Sequence, residues 1–191
     1  MFDKLFEKNP LFKPVFFIIS AVLVFDQITK IIARIYLRPL YSVQILGDFF
    51  RLTYVENPGI AFGLRINNKV FFTVLSIIAV FIIFYYLFLM KENPLLRFSF
   101  AMILGGAFGN LIDRFLFGRV VDFLDFEFFD VSIPQFSFLF FNFSGYHMAR
   151  WPVFNIADIA VTIGMILIIY NAIFFKEPQK ILQTNDSPQN N

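Results

Sequence analysis

Residues 70–90 form a run of 21 residues without a single charged side chain. At about 1.5 Å per residue, a helix of that length covers the ~30 Å hydrocarbon core of a bilayer. The run is continuously apolar and does not alternate, which argues for a helix over a barrel strand, and in lipid a helix satisfies all of its own backbone polar groups. Three further apolar segments accompany it, at residues 15–36, 95–117 and 153–175. The expected fold is therefore an all-α membrane protein with four transmembrane helices. Composition agrees: 58% of the chain is hydrophobic and 16% charged, where a soluble domain carries about a quarter charged residues. The net charge is +2, and without a long basic block no nucleic-acid partner is expected. There is no cysteine, so a thiol nucleophile, a disulfide framework and a Cys-ligated metal are excluded. The N-terminal segment has a second reading as a cleaved signal peptide. No small-residue cleavage site follows its apolar core, and Asp26 stands where one belongs.

The connections differ in kind. Residues 37–69 contain Pro39, Gly47, Pro58, Gly59 and Gly63, and residues 49–55 are rich in β-branched and aromatic side chains. They read as a small extramembrane β-rich unit after helix 1. Lys91-Glu92-Asn93-Pro94 reads as a tight turn. Residues 118–152 make a long loop between helices 3 and 4, broken by Gly118, Pro134, Gly145 and Pro152. We read residues 1–175 as a single membrane-embedded domain and residues 176–191 as a polar, disordered tail. Four spans put both termini on one side and both long connections on the other. The Lys and Arg count does not fix which side is which.

Polar groups interrupt the apolar segments at one end of the bundle. Asp26 and Lys30 are four residues apart, acid first, and can pair on one helix face. Asn110, Asp113 and Arg114 lie at i, i+3 and i+4 near the end of helix 3. Asp122 follows, and Asn155 and Asp158 open helix 4. Ionisable groups at membrane depth are costly and usually functional. The topology can bring Asp122 and Asp158 face to face. Two adjacent carboxylates titrate as a pair that shares one proton, so one can activate water while the other donates. That chemistry needs no cofactor and no metal. The rival chemistries are poorly supplied: the only histidine is His147, and there is no HExxH motif.

Four blocks, in order, carry a resemblance. They are Asp26-Gln27-Ile28-Thr29-Lys30; Asn57-Pro58-Gly59-Ile60-Ala61-Phe62; Gly105-Gly106-Ala107-Phe108-Gly109-Asn110-Leu111-Ile112-Asp113-Arg114 with Gly118-Arg119-Val120-Val121-Asp122-Phe123; and Phe154-Asn155-Ile156-Ala157-Asp158. Together they resemble the lipoprotein signal peptidases (signal peptidase II), aspartyl endopeptidases of the bacterial inner membrane, over most of residues 14–175. The resemblance implies Asp122 and Asp158 as the catalytic pair, with Asn57, Asn110, Asp113, Arg114 and Asn155 as supporting or substrate-binding residues and Asp26 and Lys30 as structural polar residues. It implies prolipoprotein substrates whose cysteine already carries diacylglycerol, cut just before that cysteine. It also implies both termini in the cytoplasm, an active site near the outer leaflet, contact with membrane lipid and a monomer. Two departures are visible. Ile60 stands where the family usually has a small residue, and the Asp122–Asp158 connection is long and Phe-rich, which we read as an interfacial lid or anchor.

Two other functions fit a polar cluster in a membrane protein. A proton-coupled transporter would use the carboxylates as carriers, although four helices without a visible internal repeat make a poor transport path. A scaffold or chaperone would use the β unit for binding. Within the motifs, Asn57 before Pro58-Gly59 is also an ordinary turn residue. Gly105, Gly106 and Gly109 read as helix packing. Asp125, Glu127 and Asp130 read as a solvated acidic edge.

Overall fold

The computed structural model describes residues 12–59, 69–89, 93–128, 131–138, 141–143 and 146–175. The N-terminal residues 1–11, Ile60, Ala61 and Phe62 of the second block, Gly63, the turn residues Lys91 and Glu92, Phe129, Asp130, Phe140, Gly145 and the tail 176–191 lie outside them.

Four long helices carry the chain: α1 (Phe12–Ile32), α2 (Lys69–Leu89), α3 (Pro94–Phe117) and α4 (Ile156–Phe174). Three stretches are long and apolar enough to cross a membrane, namely Lys13–Leu37, Pro94–Phe117 and Ile156–Phe174. In α2 the described apolar stretch is the shorter Thr73–Leu87. Helix α3 is central and packs against α1, α2 and α4. Small residues let the neighbours approach. A Cβ on Gly105 would sit 2.8 Å from Cβ of Val22 on α1, and one on Gly106 would strike the Ala157 carbonyl of α4. Gly109 faces the Asp26 carboxylate in the same way. The glycines therefore serve close helix packing, as their spacing implies. Val15, Val80, Leu87, Ala101 and Leu104 form the buried apolar cluster where α1, α2 and α3 meet. Large side chains such as Phe16, Phe17, Phe81, Phe115 and Phe174 point outward.

Helix limits follow local chemistry. At the start of α3 the Asn93 side chain accepts from the Leu96 N–H, and Pro94 occupies the first turn, where its missing N–H costs nothing. At its end Gly118 takes a left-handed conformation (φ 67°) and returns its N–H to the Arg114 carbonyl. The last turn of the first span is a π-helix, Ala33–Leu37. A shift from expectation that bears on the site is in α4, which starts at Ile156 and not at residue 153. Phe154 is held extended, its N–H on the Leu124 carbonyl (3.0 Å) and its carbonyl accepting from Phe123 and Leu124. Asn155 then caps the helix.

The sheet is antiparallel, in the order β1 (Ser42–Leu46), β2 (Phe50–Asn57), β3 (Val120–Phe126). The expected β unit was confined to residues 37–69. The third strand instead comes from the connection after α3, so both long connections share one sheet. Val55 lies opposite Asp122, and Asn57 opposite Val120. Ala33 and Leu37 pack on Val121 and Phe123, seating the sheet on the end of the first span. The rest of the long loop forms a ribbon in which β4 (Val131–Ile133) pairs with β7 (Tyr146–Met148) around the pair β5 (Phe136–Phe138) and β6 (Phe141–Phe143). Phe126 stacks on Phe50, Phe128 and Phe154, so part of the loop's Phe content serves packing over the sheet.

Candidate active site

The end of α1, the end of α3, strand β3 and the start of α4 meet at one cluster. Asn155 is its hinge. Its side-chain oxygen accepts from the Asp158 N–H (3.0 Å) while Asp158 Oδ2 accepts from the Asn155 N–H (3.1 Å), a reciprocal cap of α4. The Asn155 amide Nδ2 donates to Asp122 Oδ1 (2.7 Å), to the Asn110 side-chain oxygen (3.1 Å) and to the Val121 carbonyl (3.2 Å). One fully buried asparagine thus contacts both carboxylates. The cap pattern Asn-x-x-Asp at 155–158 is legible in the sequence and would have set the helix start correctly.

The other amides are oriented by partners that admit one arrangement. Lys30 can only donate, and its Nζ lies 2.8 Å from the Asn110 side-chain oxygen. Asn110 Nδ2 is therefore turned to Asp158 Oδ1, at 2.8 Å. The Asn57 side-chain oxygen accepts from the Gly59 N–H (2.9 Å), which turns its Nδ2 to Asp122 Oδ2 (3.1 Å). Asn57 is both the turn residue and a neighbour of Asp122.

Beneath this layer lies an ion cluster. Lys30 pairs with Asp26 at 2.8 Å and with Asp113 at 3.4 Å, all three fully buried. Asp113 also binds Arg34 (2.8 Å) and accepts from the Val121 N–H (3.1 Å), one residue before Asp122. Asp26 accepts from the Ala157 N–H (3.0 Å), one residue before Asp158. The two structural acids thus each grip the backbone beside one member of the pair. Asp113 and Arg114 do not pair with each other: adjacent helical residues point apart. Arg114 reaches Ser76 on α2 (3.2 Å).

Arg34 and Ser76 were missed as site residues. Arg34 extends the Asp26, Lys30 series at the same four-residue spacing, a signal that was present. Asp125 is a correction. It is 5% exposed and accepts from Thr53 and from Arg150 Nε (2.8 Å), so it is no part of a solvated edge.

Burial separates the pair. Asp122 is 3% exposed, while Asp158 is half-buried. Burial, and then the charge of Asp158, push the Asp122 carboxyl up to about 7. Near neutral pH one carboxyl can therefore hold a proton beside a second carboxyl that accepts from an amide on each oxygen. Such a couple can take a proton from water and give one to a carbonyl oxygen.

The family described as signal peptidase (SPase) II matches residues 18–174. A lipoprotein signal peptidase of Moorella thermoacetica is 43% identical over 150 residues, 78% of this chain and 85% of the relative. One of Caldanaerobacter subterraneus is 40% identical over 157 residues, 82% of this chain and 94% of the relative. A bacterial membrane enzyme solved by the in meso method at 2.3 Å superposes with a TM-score of 0.65 at 30% identity, covering 87% of this chain and 94% of that one.

Proposed function

The chain belongs to the signal peptidase II family, and from that premise we propose that it is an aspartic endopeptidase that cuts diacylglyceryl-modified prolipoproteins just before the lipidated cysteine. Membership itself implies a protease that removes signal peptides from prolipoproteins. The aspartic mechanism and the cut site are our reading. The observation that carries it is Asn155, which donates from its side chain to Asp122 and from its backbone to Asp158.

In this reading Asp122 holds the proton and Asp158 is the base. Asp158 takes a proton from water, and the oxygen attacks the scissile carbonyl. Asp122 gives its proton to the carbonyl oxygen, forming a gem-diol. Asp158 then protonates the leaving nitrogen, Asp122 recovers a proton from the diol, and the pair returns to its starting state. Asn110, Asn155 and Asn57 hold the carboxyls in place. Arg114 stands at the pair's edge as a substrate-side group. All four helices span the bacterial inner membrane, both termini are cytoplasmic, and the dyad lies near the outer leaflet. The protein acts as a monomer, in contact with membrane lipid. A substrate anchored by its own diacylglycerol meets a dyad at membrane depth.

The test is the identity of the products. Purified protein in detergent is mixed with a diacylglyceryl-modified prolipoprotein, and both fragments are weighed by mass spectrometry. The expected result is a single cut that leaves the lipidated cysteine as the new N-terminus. Cleavage elsewhere, or equal cleavage of the unlipidated precursor, contradicts the reading.

A further inference from the structure

A polar cavity of about 340 Å³ is walled by Arg34, Arg38, Arg119, Tyr54, Glu56 and Phe117. Three guanidinium groups face one carboxylate. Glu56 accepts from the Tyr54 hydroxyl (2.9 Å) and from Arg119 Nη1 (3.1 Å), and lies 3.9 Å from Arg38 Nη2. A guanidinium carries five N–H donors, and among the described residues Glu56 engages one nitrogen of each of these two arginines. Arg38 and Arg119 are 66% and 53% exposed, so their remaining donors are accessible. Arg34 is fixed more firmly, over the Phe117 ring at 4.0 Å and on Asp113.

The position of the cavity selects its ligand. The first span ends at Leu37 and the third helix at Phe117, so Arg34 and Arg38 on one side and Phe117 and Arg119 on the other mark one edge of the hydrocarbon core. Exposed Tyr36 stands in the last turn of the first span, as tyrosine does at a membrane interface. Lipid phosphates lie at that level, and guanidinium groups bind phosphate in a forked geometry. We propose that this cavity binds the phosphate of a phospholipid headgroup, with Arg38 and Arg119 as its principal donors and Glu56 as the carboxylate that competes with the phosphate for them. Val121 also lines the cavity and precedes Asp122, so the bound lipid touches the strand that carries Asp122. The inference rests on the membrane placement of the spans and not on the peptidase chemistry.

Native mass spectrometry of the full chain released from maltoside micelles reads this directly, without a cleavage step. The probes are dioleoylphosphatidylglycerol, dioleoylglycerol (the same acyl chains without phosphate) and inorganic phosphate. Wild type is expected to retain one phosphatidylglycerol and no dioleoylglycerol at equal concentration. The double variant Arg38→Gln/Arg119→Gln is expected to lose about a hundredfold in lipid affinity, roughly tenfold for each charge-assisted contact removed. Glu56→Gln removes the competing carboxylate and is expected to raise retention, a gain that a merely structural role for the arginines does not give. Unchanged retention by the double variant overturns the proposal, as does no gain with Glu56→Gln. Equal retention of dioleoylglycerol overturns it in favour of an acyl-chain site. Full displacement of the lipid by equimolar inorganic phosphate overturns it in favour of a soluble anion.

Discussion

Asp122→Asn and Asp158→Asn should each lower the cleavage rate of a diacylglyceryl-modified prolipoprotein by about 10⁴-fold, the upper range for losing a general acid or base. Each amide keeps the shape of the carboxylate but cannot exchange the proton. Substrate retention should be unchanged, because Asp26, Lys30 and Asp113 still hold the helix ends and the side-chain oxygen left by Asp158→Asn can still accept the capping bond from the Asn155 N–H. The two losses should not add: residues that act as one unit fail together, so the double variant should be about as slow as either single one. Single-turnover cleavage on gels, with binding followed separately, checks all three statements. Substantial activity in either variant would break the assignment. Two other acids near the pair do not offer replacements, since Asp113 is committed to Lys30, Arg34 and the Val121 N–H, and Asp125 to Thr53 and Arg150.

The second large effect is on stability. Lys30→Met leaves the fully buried carboxylates of Asp26 and Asp113 without their shared cation. Removing one partner of a buried ion pair costs about 3–5 kcal/mol, because the remaining charge stays desolvated. Asp113 keeps Arg34, so Asp26 bears most of the loss. The Asn110 amide also loses the donor that fixes its orientation, and activity should fall further than the folded fraction does. Unfolding in mixed micelles, followed beside cleavage per folded molecule, separates the two effects. The double variant Asp26→Asn/Lys30→Met should recover part of the stability and little of the activity. If Lys30→Met melts with the wild type, the cluster is not holding the helix ends.

Much of this arrangement can be read from residue spacing. Asp26 and Lys30 pair across one turn as their i, i+4 spacing implies. The glycines at 105, 106 and 109 pack helices, as small residues inside an apolar segment do. Local pattern fails where a long-range contact decides. Residues 153–155 look helical by hydropathy, yet they are extended because Phe154 pairs with Leu124, thirty positions away by number. Strand β3 follows a strongly helical segment and is a strand because β2 offers an edge. Asp125 resembles Glu127 and Asp130 in sequence, and only the approach of Arg150 and Thr53 buries it. The link from Asn57 to Asp122 spans 65 residues and depends on sheet register, which no single segment encodes.

The account turns on one proton held by Asp122 beside Asp158. With Asp122 raised from an ordinary 3.8 to about 7, the folded protein binds that proton more tightly than the unfolded chain. The corresponding contribution to stability is complete below pH 3.8 and is lost as pH rises through 7. The same proton is the one given to the scissile carbonyl. The deciding measurement is kcat/KM of the wild type against pH across the neutral range, with folding checked at each point. The expected profile falls tenfold per unit above about pH 7, as Asp122 ionises. A profile that stays level or rises through pH 7 to 9 in folded enzyme would contradict the shared-proton dyad.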